Sequence, residues 1–389
     1  MNIALVIFNA DPQRGGAERY TADVAAALAR RGHQVDLIAS RFGPPIDGVK
    51  FVSLDAKAPT RAGRFPIFLN SLDAHLRGQK YDLIHSMLPV RRCDIYHPHA
   101  GMAKAALESH LSRPSAPSRA LAQLANRLNR KRQLFAMVEE ALLHGPEKPF
   151  VICLSDYVKG MILKYYPDIS GQFVKLFNGT DLVAFDPATH LGGGQMIRKR
   201  YKIPQDATVA LMIAQHFERK GLGEVIEATA NLAKASPSAA PTILVVGQDD
   251  PGRSREQAKR LGVIDKMIFA GQTDRAADFY AASDFFVLPT RHDSCSLVVL
   301  EALAMGLPAI STVFNGACEI MNDGEHGFVL ANPADVPALT EAMGRLMDPI
   351  ARQRMHEACL ALRPNLSFDA HMDRLEEIYR ARMELLANR

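Results

Sequence analysis

Short runs rich in β-branched and aromatic residues alternate with helix-length segments along most of the chain, in two successive sets. The first set of predicted strands lies at residues 3–8, 35–40, 49–54, 81–86, 150–154 and 173–177. The second set lies at residues 208–214, 242–246, 267–270, 285–288 and 309–311. This alternation is typical of parallel sheets covered by helices on both faces. It predicts an α/β fold of two doubly wound, Rossmann-like domains that face each other across a deep interdomain cleft.

Glycines mark the predicted boundary between the two sets. The segment 186–195, DPATHLGGGQ, reads as a loop. We therefore predict an N-terminal domain at residues 1–185 and a C-terminal domain at residues 186–366. The last helical pattern, residues 367–389, is long enough to pack back on the N-terminal domain. Because doubly wound domains bind ligands beyond the carboxyl ends of their strands, we expect functional residues directly after strands.

The composition is that of an ordinary globular protein. Of the 389 residues, 48% are hydrophobic and 23% are charged. No apolar stretch approaches the roughly 18 residues that suggest a membrane-spanning helix, and the apolar start lacks the basic region of a signal peptide. The five cysteines are scattered without metal-ligand spacing, as expected for reduced thiols. These features predict a cytoplasmic protein.

Charge is distributed unevenly along the chain. Residues 1–180 contain 24 Lys and Arg against 15 Asp and Glu, whereas the whole chain contains 46 against 42. A basic N-terminal half favours an anionic partner, for which nucleic acid, an anionic membrane and a phosphorylated substrate all fit. The bias is strongest at residues 101–135, which hold seven basic residues and one acid within a helical insertion at 101–145.

The basic segment 101–135 has two interpretations. It could dock on an anionic membrane or a phosphorylated lipid acceptor, since several basic residues near an anionic leaflet act together. Apolar side chains would then insert beside them, namely Leu121, Leu124, Leu128 and Phe135. Alternatively, the segment is a solvated helical hairpin packed on the first domain.

Two glycines and three histidines follow predicted strands of the first domain. Gly15 and Gly16 precede a helix, so backbone N–H groups could face an anion there, although neither a dinucleotide fingerprint nor a P-loop is present. His97 and His99 could contact substrate; as metal ligands they lack a third residue at a known spacing. For His85 we favour a core position.

Two cations follow the first predicted strand of the second domain. Arg219 and Lys220 stand directly before Gly221 and a helix. Two cations and a helix N-terminus make an anion site suited to a diphosphate. The alternative is a solvated charge pair.

The stretch RHDSCSLVVLEALAMGLP carries two carboxylates eight residues apart. Ser296 is placed to cap a helix that stops at Gly306, with Asp293 in the preceding loop and Glu301 within the helix. Eight helical residues rise about 12 Å, beyond the roughly 5–9.5 Å of a glycosidase carboxyl pair. The spacing suits a sugar nucleotide, with polyols at both ends and phosphates facing the helix N-terminus. Alternatively, Glu301 is an acid on the solvent face of an amphipathic helix.

These motifs together resemble a known enzyme family. The segment 293–308 is similar to the E-x7-E motif of retaining GT-B glycosyltransferases of family 4, and FERKG, NGTD, the strand-end GG and HPHAG resemble the other landmarks of that family in order. The resemblance covers nearly the whole chain and is closest to bacterial lipopolysaccharide core glucosyltransferases. One departure is that Asp293 stands where the family usually has Glu.

The resemblance implies roles for the residues of the second domain. Glu301 would bind the donor ribose, and Asp293 the donor sugar, together with backbone amides near Ser296 and Leu297. The leaving diphosphate would be neutralised by Arg219 and Lys220. Base recognition would fall to the backbone near Gln272.

The resemblance also implies roles in the first domain and a reaction. Gly15 and Gly16 would let the phosphates approach, and His99, or else His97, would lie beside the reacting sugar. The reaction would be retaining transfer of a hexose from UDP-glucose or a similar nucleotide sugar to a lipopolysaccharide-core-like or other anionic glycan or glycolipid. No metal or cofactor is expected, and nucleic acid is not an expected partner.

Two other functions stay open from the sequence. One is a nucleotide-sugar epimerase of the same fold, and the other is a non-catalytic protein that binds sugar nucleotides. The expected location of the protein is cytoplasmic, with peripheral association at the inner face of the cytoplasmic membrane if residues 101–135 dock there.

Overall fold

The computed structural model describes residues 1–60, 63–98, 101–104, 129–236 and 240–388. The chain divides into two compact units. One comprises Met1–Phe177 with Met372–Arg389, and the other comprises Asn178–His371. Each unit is built on a parallel sheet with helices, so the predicted α/β class with two Rossmann-like domains is confirmed.

The first unit contains a seven-stranded parallel sheet in the order β3-β2-β1-β4-β5-β6-β7. The strands are β1 Asn2–Val6, β2 Gln34–Ala39, β3 Val49–Ser53, β4 Leu83–Ser86, β5 Ile95–Tyr96, β6 Phe150–Cys153 and β7 Phe173–Lys175. The helices between them are α1 Gly16–Arg30, α2 Arg64–Gly78, α3 Arg130–His144 and α4 Asp156–Tyr165.

The second unit contains a six-stranded parallel sheet in the order β10-β9-β8-β11-β12-β13. The strands are β8 Val209–Ile213, β9 Thr242–Val246, β10 Met267–Gly271, β11 Phe285–Val287, β12 Ala309–Thr312 and β13 Gly327–Leu330. The helices are α5 Pro187–Arg200, α6 Leu222–Ala235, α7 Gly252–Arg260, α8 Ala276–Ala281, α9 Leu297–Ala304, α10 Val336–Arg345 and α11 Pro349–Leu362. The last helix of the chain is α12 Phe368–Ala387.

The central strands are continuous apolar runs because both faces of each sheet are covered. Residues 3–6 of β1 and residues 209–212 of β8 are fully buried. Strands buried on both faces lose the alternation of apolar and polar residues that a half-exposed strand shows. This is why the sequence predicts these strands to within one or two residues.

The predicted set of strands omits β13 at the edge of the second sheet. This strand begins at Gly327, whose φ of 129° is rarely adopted by other residues. A Cβ at this position would lie 2.0 Å from the carbonyl oxygen of Ala309 on the neighbouring strand. The glycine allows the two backbones to approach closely, and in the sequence it obscures the strand.

The predicted loop at 186–195 is wrong, because Pro187–Arg200 forms α5. Asp186 caps this helix, and its carboxylate accepts a hydrogen bond from the N–H of Ala188 at 3.0 Å. A Cβ on Gly193 would lie 2.0 Å from Oδ1 of Asp278 on α8. A Cβ on Gly194 would lie 2.5 Å from the carbonyl oxygen of Ala281 on the same helix, so Gly193 and Gly194 serve close packing of two helices and do not form a turn.

Among the described residues, no helix combines the length and the apolar character that crossing a bilayer requires.

Two neighbouring glycines of α5 test this explanation as a matched pair. Gly193→Ala should destabilise the protein by about 1–3 kcal/mol, because the methyl group overpacks the contact with Asp278. Gly192→Ala should instead stabilise it by about 0.5–1 kcal/mol, because nothing lies within 4 Å of the added Cβ and alanine favours the helix. Urea unfolding measures both changes. Equal effects of the two substitutions would contradict the packing role of Gly193.

Candidate functional site

The candidate site of the second unit lies where the strand order of its sheet reverses. From β8 the chain proceeds to β9 and β10 on one side, and then to β11, β12 and β13 on the other. Open α/β sheets bind ligands beyond the carboxyl ends of the strands at such a switch point. The loop after β8 carries Arg219 and Lys220, and the loop after β11 carries Asp293.

Lys220 and Asp293 form an ion pair at this switch point. The Lys220 ammonium donates a hydrogen bond to Oδ2 of Asp293, and the two side chains are 10% and 21% exposed. Burial raises the pKa of Asp293, but the positive charges of Lys220 and Arg219 outweigh burial and hold this pKa below its ordinary value of 3.8. The Asp293 carboxylate is therefore ionised at neutral pH. The alternative of a solvated charge pair does not describe Lys220, which is buried, although Arg219 is exposed.

The loop that carries Lys220 approaches the loop that carries Asp293 because of a glycine. Gly221 has a φ of 85°, and a Cβ there would lie 2.5 Å from the carbonyl oxygen of Pro289. The N–H of Arg291 donates to the carbonyl of Arg219 at 3.0 Å. Since other residues rarely adopt this φ and would also clash, the glycine allows the two loops to meet.

A third loop fixes the backbone of Asp293. Its N–H donates to the carbonyl of Phe314 at 2.9 Å, and its carbonyl accepts from the N–H of Gly316 at 3.1 Å. The side-chain oxygen of Asn315 accepts from the N–H of Ser296 at 3.1 Å. Asp293 is thus held by the loop that follows β12, in addition to its ion pair with Lys220.

Ser296 occupies the N-cap position of α9, as predicted, but its side chain makes no capping hydrogen bond. Its carbonyl accepts from the N–H of Val299 at 3.2 Å. Leu297 is the first residue of the helix. The backbone amides named by the family resemblance therefore lie at the N-terminus of α9, three to four residues after Asp293.

Glu301 is buried within α9, so the alternative of a solvent-facing acid is wrong. The hydroxyl of Tyr280, on α8, donates to Oε2 of Glu301 at 2.9 Å and also lies 3.0 Å from the carbonyl of Val298. The carboxylate is therefore oriented by a neighbouring helix. Gln272, the candidate near the base, lies exposed in the loop after β10.

The two candidate glycines of the first unit differ in their surroundings. Gly15 is the N-cap of α1, and a Cβ there would lie 3.0 Å from Oε2 of Glu18. An added Cβ at Gly16 would have nothing within 4 Å. Neither glycine has the positive φ that would explain it by backbone conformation. Open space is therefore found beside Gly16, whereas the Glu18 carboxylate lies beside Gly15.

The histidines of the first unit occupy different places. His85 is fully buried, and its Nδ1 lies 2.7 Å from the hydroxyl of Tyr379, which confirms its core position. His97 is also fully buried, with its ring stacked on that of His85 and edge-on to that of Tyr20. His99 lies outside the described residues.

All five cysteines are free and buried. Across the described ranges, no group of three or more His, Cys, Asp and Glu side chains is arranged to hold a metal ion.

Three contributors to the site carry no recognisable signal in the sequence. Tyr280 orients Glu301, Asn315 holds the backbone at Ser296, and Arg291 joins the two loops. Each residue contacts a segment distant in sequence, and the strand order has to be known before that contact can be predicted. The asparagine-glycine pair at 315–316 indicates a turn, but it does not indicate which loop that turn will hold.

Two family models match the chain. Glycosyltransferase Family 4 matches residues 14–183, and Glycosyl transferases group 1 matches residues 207–349. Among curated proteins, the chain is 23% identical over 334 residues to the lipopolysaccharide glucosyltransferase WaaG of Escherichia coli, a match that covers 86% of each chain. It is 30% identical over 216 residues to the D-inositol 3-phosphate glycosyltransferase of Thermomonospora curvata, covering 52% of this chain and 49% of that protein. The chain thus spans about half the length of this second relative.

Solved structures share the fold over nearly the whole chain. The crystal structure of WaaG, a glycosyltransferase involved in lipopolysaccharide biosynthesis, superposes with a TM-score of 0.81 at 21% identity, covering 97% of this chain and 99% of that one. The structure of Anabaena Alr3699/HepE in complex with UDP-glucose gives a TM-score of 0.71 at 17% identity, covering 98% and 100%. At these identities the likeness establishes the fold.

The pKa of Asp293 provides a test of the ion pair. Lys220→Met removes the largest lowering influence but leaves the burial, so the pKa of Asp293 should rise from its lowered value. In the parent protein the ionised carboxylate stabilises the fold above the unfolded pKa, and this stabilisation is lost as the pH falls through the lower folded pKa. In the variant this pH-dependent stabilisation should be smaller, because the folded pKa of Asp293 is lowered less. Carboxyl NMR titration measures the pKa directly.

Arg219→Met serves as the comparison for this experiment. Arg219 is exposed and has a weaker influence on Asp293, so its removal should raise the pKa less. An unchanged pKa of Asp293 in the Lys220→Met protein would contradict the ion pair.

Proposed function

Because the chain belongs to the GT-B glycosyltransferases of group 1 and family 4, we propose that it transfers a hexose from a nucleotide-diphosphate sugar to an anionic glycan or glycolipid, with retention of configuration. The observation that carries this proposal is the buried pair of Lys220 and Asp293 at the switch point of the second sheet. Such a pair brings a cation for a diphosphate and an acceptor for sugar hydroxyls to one place.

The cations act on the leaving group. Negative charge grows on the diphosphate as the bond to the sugar breaks, so contacts with Lys220 and Arg219 strengthen in the transition state and accelerate the reaction. An ammonium has three donors, so Lys220 can bind a phosphate oxygen while it holds Asp293. These fixed cations supply charge neutralisation without a metal or another cofactor.

The carboxylates bind the two polyol ends of the donor. Asp293 accepts hydrogen bonds from the transferred sugar, with the amides near Ser296 and Leu297 beside it. Glu301, oriented by Tyr280, accepts from the ribose. We propose UDP-glucose as the donor, because the related Anabaena structure was solved in complex with it.

The remaining candidates complete the donor and reaction sites. We assign base recognition to the backbone near Gln272, and the approach of the phosphates to Gly15 and Gly16, of which Gly16 has nothing within 4 Å of an added Cβ. His99 lies beside the reacting sugar in this proposal. The burial of His97 makes it the weaker candidate.

Retention follows from a front-face mechanism. Asp293 accepts a hydrogen bond from Lys220, which stabilises its carboxylate. This makes Asp293 a weak nucleophile for forming a covalent intermediate. The leaving phosphate instead accepts the proton of the incoming acceptor hydroxyl on the same face of the sugar. The new bond therefore forms where the old one breaks.

The relatives support a proposal for the acceptor. The Escherichia coli relative is a lipopolysaccharide glucosyltransferase, which favours a lipopolysaccharide-core-like acceptor. Both curated relatives named above are glycosyltransferases, which favours transfer over epimerisation or binding alone.

Lys220→Ala tests the catalytic assignment in a transfer assay. With UDP-glucose and a core-type acceptor, turnover should fall by about 10²–10³-fold, because an oxyanion-type contact of the transition state is lost. Lys199→Ala, which removes an exposed lysine of α5, is the matched control and should retain turnover. Turnover within a few-fold of the parent in the Lys220→Ala protein would remove Lys220 from the leaving-group site. Formation of an epimer without transfer would favour the epimerase.

We also propose that the basic segment 101–135 binds an anionic membrane surface. Residues 105–128, which include Leu121, Leu124 and Leu128, lie outside the described part of the chain. Arg130 and Arg132, in the first turn of α3, are exposed. The predicted insertion of Phe135 is wrong, because its ring stacks on that of the buried core residue Phe65 at 3.9 Å.

A charge reversal tests membrane binding. Arg130→Glu with Arg132→Glu should weaken binding to anionic phosphatidylserine vesicles by about tenfold or more, since each basic residue contributes about 1 kcal/mol. Lys199→Glu with Arg200→Glu makes the same change of charge at exposed positions of α5 and should have a smaller effect. Vesicle sedimentation at low salt measures both. Equal binding by the first variant and the parent would contradict the membrane proposal and leave the transfer proposal intact.

A further inference from the structure

Arg291 joins the loop that carries Asp293 to the loop that carries Lys220. Its Nη1 donates to the carbonyl of Glu218 at 3.1 Å, and its Nη2 forms an ion pair with Oε1 of Glu224. Its backbone N–H donates to the carbonyl of Arg219. A single residue therefore holds the chain on both sides of Lys220.

The contacts of Arg291 need the shape of a guanidinium. Glu218 precedes Lys220 by two residues, and Glu224 lies in the first turn of α6. Reaching a carbonyl and a carboxylate at once requires two donors in a rigid fork, which arginine has and lysine lacks. The side chains of Arg291 and Glu224 are 37% and 16% exposed, so this ion pair is partly shielded from water.

The loop between β8 and α6 has an unusual backbone that needs such support. His216 has a φ of 60° and Gly221 a φ of 85°, so both ends of the turn lie in the left-handed region. A residue other than glycine persists there only when its surroundings hold it. Arg291 contacts Glu218 and Arg219, which lie between these two positions, and Glu224, which lies three residues after Gly221. These contacts fasten the part of the loop that points Lys220 at Asp293.

We infer that Arg291 is a positioning residue that sets the place of Lys220 relative to Asp293, and so controls the diphosphate site without touching the donor. The inference rests on the proposed function for its catalytic consequence. Its structural part, the placement of Lys220, is independent of that function.

A double-mutant cycle tests the inference. Arg291→Gln is made in the parent and in the Lys220→Ala protein, and both the affinity for UDP and kcat for transfer are measured. Arg291→Gln should weaken each by about tenfold in the parent and by less than about twofold when Lys220 is absent, because residues that act as a unit are not additive. Equal effects in both backgrounds would overturn the inference.

Further variants separate positioning from a general loss of structure. Glu224→Gln removes the partner of Arg291 and should reproduce its effect, whereas Arg291→Lys should recover only part of the activity. Arg198→Gln is the matched control, because Arg198 likewise donates to backbone carbonyls and pairs with Asp284, away from the carboxyl ends of the strands. It should lower the unfolding temperature without changing the affinity for UDP.

A measurement without ligand keeps the inference distinct from the proposed function. If Arg291→Gln displaces Lys220, the pKa of Asp293 should rise in carboxyl NMR titration, and an unchanged pKa would overturn the inference. If the parent protein neither transfers sugar nor binds UDP, but the Arg291→Gln substitution still raises the pKa of Asp293, the result counts against the proposed function alone.

Discussion

The structure of the candidate site depends on one ion pair, between Lys220 and Asp293. Placing two charges among buried groups costs desolvation, which is offset only when they are paired and well hydrogen-bonded. The protein meets this condition by holding both partners through their backbones. Gly221 lets the first loop approach, and the loop after β12 fixes Asp293 on its other side. The pair is thereby preorganised before any ligand arrives.

This arrangement bears on the proposal that Asp293 serves in the position where the family motif is expected to carry glutamate. The carboxylate of Asp293 is one methylene shorter, so its reach towards a sugar is set by its backbone. That backbone is hydrogen-bonded to Phe314 and Gly316, and the carboxylate itself accepts a hydrogen bond from Lys220. The two groups that would act on the sugar and on the diphosphate are consequently fixed to each other. A change at either residue alters the surroundings of both.

Much of the fold could be predicted from the sequence because its signals are local. Buried parallel strands are apolar runs, and the residues directly after them gave Arg219, Lys220 and Asp293 as candidates. The failures have a physical cause as well. The glycines of 192–194 resemble a turn, but at Gly193 the missing side chain serves contact with Asp278 on α8. Arg291, Tyr280 and Asn315 were not predicted because their partners are set by the strand order and by loop geometry, which no local pattern contains.

The most direct test of the account is to observe Lys220 itself during donor binding. The side-chain ammonium of Lys220, labelled with nitrogen-15 and assigned by its loss in a Lys220→Met protein, can be followed by NMR as UDP, UDP-glucose or glucose is added in separate titrations. The account predicts that UDP alone shifts this signal, because the diphosphate contacts the ammonium, and that glucose alone does not. A Lys220 signal that stays unchanged at saturating UDP-glucose would contradict the claim that this ion pair is the diphosphate site.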